Sequence, residues 1–145
     1  MTFRHRVTVG DADLDELGHA NNIQYVRWLQ DAAIAHSAHV GLTYPRYVAL
    51  GGVFVVRRHE IDYLRSALRG DVLEVRTHVA SVMAAKSERR YEIVRLPKDA
   101  EDETVIVRAL TLWGFIDTTM GRPMRIPDEI YVAFGFEPRK KKISA

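Results

Sequence analysis

Residues 13–28 read Asp13-Leu14-Asp15-Glu16-Leu17-Gly18-His19-Ala20-Asn21-Asn22-Ile23-Gln24-Tyr25-Val26-Arg27-Trp28. The character of the chain changes within that stretch. Up to Ala20 it is acidic and aperiodic, as expected of a loop whose backbone groups meet water. From Ile23 the apolar residues recur at helical spacing. Asn21 and Asn22 stand at the join, and an Asn side-chain oxygen is well suited to accept from the exposed N–H groups of a helix start, so a helix is predicted to begin near Asn22. It continues to about Val40. Ile23, Val26, Leu29 and Ala33 form one apolar side, and Tyr25, Trp28, Ala32 and Ala35 a second, which predicts a helix buried on most faces. Gly41 supplies a C-terminal stop, with Pro45 just beyond it.

Upstream, Phe3, His5, Val7 and Val9 alternate with Arg4, Arg6 and Thr8, the period-2 pattern of a half-buried strand that ends at Gly10. Downstream, four strand-like segments follow: 53–64, 71–83, 86–96 and 104–117. The breaks between them are Ser66 to Gly70, the short Ala84-Ala85 connection, and the charged run from Pro97 to Glu103, so consecutive strands read as hairpins and the sheet as antiparallel. Gly121-Arg122-Pro123 marks another turn. Pro127-Asp128-Glu129 reads as the first turn of a short helix, with acids near its positive dipole end. The expected fold is α+β, a curved five-stranded antiparallel sheet wrapped around one long central helix. Such a sheet leaves an outer face or an edge open. Trp113 and Phe115 are expected to favour pairing there with a second copy, giving a homo-oligomer.

Composition narrows the chemistry. The 145 residues include no cysteine, which removes disulfides, Cys-ligated zinc, iron–sulfur clusters and a thiolate nucleophile together. The start, Met1 to Arg6, has no apolar signal-peptide core, and no run approaches the length of a membrane span, so a cytoplasmic protein without membrane association is expected. The 21 basic and 19 acidic groups leave a net charge of +2. Much of the excess lies in Arg139-Lys140-Lys141-Lys142, read as a solvated basic tail over 139–145 behind a single domain over 1–138; nucleic-acid binding is not expected of it.

Asp11, Asp13 and Asp15 alternate as in the opening of an EF-hand loop. Glu16 stands where that loop needs Gly, and Asn22 where it needs a bidentate carboxylate. His36 and His39 share a helix face without a carboxylate pattern, and His59-Glu60 lacks the second His of a zinc-protease helix, so no metal site is expected. No G-x-S-x-G elbow or P-loop occurs. What remains is a cluster of carboxylates just before a helix N-terminus. An acyl-transfer site needs a carboxylate that attacks a thioester or deprotonates water, and an N–H that holds the developing oxyanion. The same residues would equally serve as ordinary helix caps.

The stretch Asp13 to Trp28 resembles the signature D-x-D-x-x-G-H-x-N-N-x-x-Y of hot-dog-fold thioesterases of the 4-hydroxybenzoyl-CoA thioesterase type. Further matches occur in Glu60-Ile61-Asp62-Tyr63-Leu64, Gly70-Asp71-Val72-Leu73-Glu74-Val75, Gly121-Arg122-Pro123 and Ile126-Pro127. The resemblance implies a sheet continued across a dimer interface, in a homodimer or homotetramer. It makes Asp15 the catalytic carboxylate, as nucleophile or general base, with Asp13 secondary, and the backbone N–H of Asn22 the oxyanion donor. Gly18 then permits a close turn, while His19 and Asn21 shape the loop. Plant acyl-carrier-protein thioesterases of this group place an Asn where this chain has Leu17. Lys86 and Ser87 fall where relatives bind the nucleotide, although Ala84 and Ala85 replace arginines found there in one branch, leaving Arg89 and Arg90 as neighbouring substitutes. Tyr25 and Trp28 either line an acyl pocket or belong to the core. The implied substrate is an acyl-CoA or acyl-carrier-protein thioester, hydrolysed without a cofactor, CoA or pantetheine being part of the substrate. Other hot-dog domains are hydratases or dehydratases, or bind acyl-CoA without turnover, and these are the alternatives.

Overall fold

Eighteen residues of continuous helix, capped at the Asn pair, form the centre about which the other elements are arranged. In the computed structural model, which describes residues 1–99 and 102–138, this helix α1 spans Asn22–His39. It follows strand β1 (Phe3–Thr8) and one turn of 3-10 helix (Asp11–Asp13), and precedes a short helix α2 (Tyr44–Ala49). Four strands come next: β2 (Gly52–Tyr63), β3 (Val72–Met83), β4 (Lys86–Arg95) and β5 (Thr104–Asp117); helix α3 (Asp128–Ala133) follows. The basic tail at 139–145 lies outside the described residues.

All five strands join one antiparallel sheet in the order β1-β3-β4-β5-β2. This is the expected hot-dog architecture, with one correction to the connectivity. The β3–β4 and β4–β5 connections are hairpins, but β2 pairs with β5 rather than β3, so the chain crosses the sheet between β2 and β3. Residue alternation shows which face a strand buries and is silent on which strand lies beside it. The β3–β4 hairpin turns on Ala84-Ala85, with Ala84 at φ 53°.

α1 packs on one face of the sheet through one stripe. Tyr25, Trp28, Leu29, Ala32, Ala33, His36 and Ser37 are buried, and the apolar members pack with Leu73, Val75, Tyr91, Ile93 and Val107 of the sheet. Ile23 (72% exposed) and Ile34 (60%) face away from the core, so the helix is buried on one face rather than on most. Tyr25 and Trp28 are core residues; the Tyr25 hydroxyl accepts from Ala67 N at 2.9 Å, tying the loop before β3 to the helix. A second apolar cluster gathers Leu42, Phe115, Ile126, Ile130 and Tyr131 around the ends of β2 and β5, α2 and α3. Phe115 is fully buried there and Trp113 packs inward, so neither forms the exposed apolar surface expected of them.

Candidate active site

The acidic loop is organised by its own backbone. Asp15 N donates to His19 O at 2.7 Å and Gly18 N to Asp15 O at 3.1 Å, closing a tight turn in which Gly18 has φ +77°, a left-handed conformation that costs a side-chain-bearing residue about 1 kcal/mol. Asp15 Oδ1 accepts from Leu17 N (2.9 Å) and His19 N (3.1 Å). Its Oδ2 makes no bond among the described residues, and the residue is exposed. The carboxylate is therefore oriented by one oxygen while the other stays available.

The neighbouring acids are used differently. Asp13 Oδ2 takes the N–H of Gly10 at 2.8 Å, and Asp11 pairs with Arg69 at 2.7 Å. Asn21 N donates to Asp13 O at 2.8 Å and Ala20 N to Ala67 O at 2.9 Å, pinning the loop exit to the body of the protein. Asn21 is the N-cap of α1. Its Oδ1 accepts from Ile23 N at 3.0 Å, and its carbonyl from Gln24 N at 2.8 Å. Between those satisfied groups the N–H of Asn22 has no protein acceptor among the described residues, at the positive end of an 18-residue helix. The loop thus presents a free carboxylate oxygen and, a few residues on, a free helix N–H.

The remaining expected residues divide. His19 contributes its backbone to the turn, and its exposed ring makes no hydrogen bond among the described residues. Lys86 and Ser87 are adjacent in β4 and so face opposite sides of the sheet. Lys86 is exposed beside the Ala84-Ala85 turn, whereas Ser87 is buried and donates to Ser81 O at 2.9 Å. Arg89 shares the parity of Ser87 and is only 5% exposed, which removes it from any surface role; Arg90 is exposed and paired with Glu88.

Arg89 instead forms part of the wall of a cavity of about 560 Å³, lined among others by Ala33, Leu42, Phe54, Trp113 and Phe134. Its Nη1 donates to His36 Nδ1 at 2.8 Å and to Thr77 Oγ1 at 3.1 Å, and its guanidinium lies 5.7 Å from the Phe134 ring centre. Burial and the adjacent guanidinium push the His36 pKa down to about 4, so its ring is a neutral acceptor. Ser37 Oγ donates to Leu42 O at 2.7 Å and lies 2.6 Å from the Tyr47 hydroxyl, whose own pKa burial raises. Asp15 is not among the lining residues. Along α1, Asn22 and Ala33 are separated by about 16 Å at the standard helical rise.

Residues 8–134 match the model of the thioesterase-like superfamily. The chain belongs to that superfamily. No functionally curated protein matches it in sequence. Among solved structures it is similar to a 1,4-dihydroxy-2-naphthoyl-CoA thioesterase from Synechocystis, at 21% identity over 92% of this chain and 96% of that one, TM-score 0.81. A hypothetical protein from Thermus thermophilus shares 27% identity over 90% and 95% of the two chains, TM-score 0.79. A mutant 4-hydroxybenzoyl-CoA thioesterase complexed with 4-hydroxybenzoyl-CoA superposes at TM-score 0.84 with 18% identity over 92% and 99%.

The acidic loop is legible in the sequence, and the contact between Arg89 and His36 is not. The signal for a buried Arg89 lies in β4: Ser87, Arg89, Tyr91 and Ile93 share one parity, and Tyr91 and Ile93 belong inside. Helix α2 was missed as well, because Pro45 reads as a stop, whereas after the capping Thr43 it occupies the first turn of a new helix.

Proposed function

We propose that the protein hydrolyses an acyl-CoA or acyl-carrier-protein thioester to the free acid and thiol, with Asp15 as nucleophile or general base. The observation that carries this reading is the loop geometry. Two backbone N–H groups hold one Asp15 oxygen and leave the other unpaired, immediately before a helix whose Asn22 N–H has no internal acceptor. A thioester carbonyl polarised by that N–H and the helix dipole gains electrostatic stabilisation as its oxygen becomes anionic, worth about 3 kcal/mol for one well-placed donor. The second Asp15 oxygen then either removes a proton from a water that attacks the carbonyl carbon, or attacks that carbon itself to give a mixed anhydride that water afterwards hydrolyses to the free acid and regenerated Asp15. In both cases collapse of the tetrahedral oxyanion breaks the C–S bond and the thiolate of CoA or pantetheine leaves. Nothing in those steps needs a metal or redox group. Gly18 and Asn21 support them by setting the turn and capping the helix, and the imidazole of His19 stands free beside the turn to contact substrate. Lys86, exposed at the β3–β4 turn, is the cation this reading assigns to the nucleotide phosphates. Ser87, buried, would act from the cavity side. Outside α1 the sheet ends in the long β2 edge, and a second copy paired there completes the site as a homodimer or a dimer of dimers.

The test is thiol release from a panel of aryl-, short- and long-chain acyl-CoAs by wild type and Asp15→Asn. The Asn side chain keeps the acceptor oxygen for Leu17 and His19 but has neither nucleophilicity nor basicity. Turnover of at least one acyl-CoA is expected, falling about a hundredfold to ten-thousandfold in the folded variant. Turnover unchanged in Asp15→Asn would remove Asp15 from the mechanism, while tight binding of intact acyl-CoAs without turnover would support a binding module.

A further inference from the structure

Arg89 is a buried cation with no anion beside it. Among the described residues no carboxylate lies within ion-pair distance, and the groups packed around it are His36, Thr77, Tyr47, Tyr91 and the Phe134 ring. None of these carries a negative charge at neutral pH: the hydroxyls are neutral, and His36 is a neutral acceptor. Burial lowers the Arg89 pKa, yet a guanidinium remains protonated in such a site. A charge left buried and uncompensated is strongly unfavourable. Proteins retain such an arrangement where something else brings the opposite charge.

The donors of Arg89 are only partly used. Of five N–H bonds on a guanidinium, the two on Nη1 go to His36 and Thr77, and Nε and Nη2 have no acceptor among the described residues. Three hydroxyls on the cavity wall are committed, whereas the Trp113 Nε1 donor has no acceptor among the described residues. Ser37 donates to Leu42 O, which leaves the Tyr47 hydroxyl to donate to Ser37, and Ser87 donates to Ser81 O. The wall therefore combines apolar surface from Leu42, Phe54, Trp113 and Phe134 with one cation whose remaining N–H groups lie side by side. Two parallel donors match a carboxylate, and the apolar wall matches a hydrocarbon stem.

We propose that this cavity binds a carboxylate carried on an apolar stem, with its head group seated on Arg89. Such a ligand has two sources in a thioesterase. It is the free acid that hydrolysis releases, or it is the distal carboxylate of an acyl group derived from a dicarboxylic acid. The binding itself is independent of the hydrolytic reading; only the assignment of its source rests on that reading.

The experiment is calorimetric titration of the full chain with octanoate and 4-methylbenzoate against their neutral amides and octylamine. The acids should bind about tenfold or more tightly than the amides, and octylamine should not bind. Arg89→Met should bring acid and amide to the same affinity, while Arg89→Lys, which keeps the charge without the paired donors, should retain part of the preference. Ala38→Trp, placed at an exposed position on the cavity wall, should weaken both ligands with the buried polar groups left intact. Equal affinity of acid and amide for wild type, absence of binding at millimolar acid, or unchanged acid binding in folded Arg89→Met would each overturn the proposal. The wild-type ratio decides even if Arg89→Met fails to fold. Asp15→Asn should bind the acids as wild type does, so failure of the proposal and failure of the hydrolytic reading are separable. Competitive inhibition by octanoate would assign the free acid as the source. A preference for suberyl-CoA over octanoyl-CoA that vanishes in Arg89→Met would assign the acyl terminus.

Discussion

His36 shows how burial decides a residue's chemistry. It stands in the last turn of α1, where the helix dipole favours a cation by up to about 1 kcal/mol. Against this act desolvation, the Arg89 guanidinium, and the weaker fields of His39 and the N-terminal amine, which together bring its pKa from 6.5 to about 4. Above pH 6.5 the ring is neutral in both folded and unfolded chains and contributes no pH dependence. As pH falls below 6.5 the unfolded chain takes up a proton that the folded chain resists until about pH 4, so stability declines across that window, by about 3 kcal/mol in all. His36→Gln keeps an acceptor for Arg89 but does not titrate. Denaturant midpoints measured at pH 7, 5.5 and 4.5 should fall less steeply in the variant than in wild type, and parallel curves would show that His36 takes up its proton as readily in the folded chain as in the unfolded one. The acidic loop and this pair differ in legibility for a physical reason. Asp15, Gly18 and Asn21 act through neighbours within a few residues, so their roles are written in local spacing, whereas Arg89 meets His36 from 53 positions away and only the fold brings them together.

At the scale of elements, the cap and the strand crossings carry the argument. Asn21→Ala removes the acceptor of Ile23 N and should destabilise the protein by about 1 kcal/mol, while Asn21→Asp should restore most of that loss. If Asn22 N–H is the oxyanion donor, the Ala variant should lose activity beyond its stability deficit, read as a lower kcat at a temperature where it is fully folded. Gly52 makes a sharper case. A Cβ there would lie 2.5 Å from Phe115 Cε1 and 2.8 Å from Ile116 O, and the carbonyl belongs to the β5 backbone that pairs with β2. Gly52→Ala is therefore expected to lower stability by about 2 kcal/mol or more, checked by chemical unfolding. Element boundaries were legible to within a residue or so for α1 and the strands, because alternation and the Asn cap are local signals. The crossing from β2 to β3 and the six-residue α2 were not: one is a property of the whole sheet, and the other is too short to show a period.

For the whole molecule the deciding feature is the edge of the sheet. β2 is twelve residues long, pairs with β5 on one side, and has no strand on the other among the described residues. Its outer N–H and C=O groups form a ready template for a second strand, and few proteins leave so long an edge unprotected. Charge gives some protection here: Arg58 and Glu60 are exposed and ion-paired with each other. The interruption in register near Arg57 adds a local bend. Against these, Val56 and Tyr63 expose apolar surface along the same strand. Two copies related by a two-fold axis would pair β2 with β2 antiparallel near its middle, joining two five-stranded sheets into one. Sedimentation at tens of micromolar should then give at least twice the 16.5 kDa of one chain, and a mass of one chain would exclude the association. Val55→Pro and Val56→Pro locate the interface. Along an antiparallel strand successive N–H groups point to opposite sides, so one of these substitutions deletes a bond to β5 and the other deletes a donor on the open edge. With the same side chain replaced in both, the edge variant should remain folded and run as a monomer, while its partner loses stability. If both variants fold and both still associate, the interface lies elsewhere, and the outward Ile23 and Ile34 of α1 become the next surface to test.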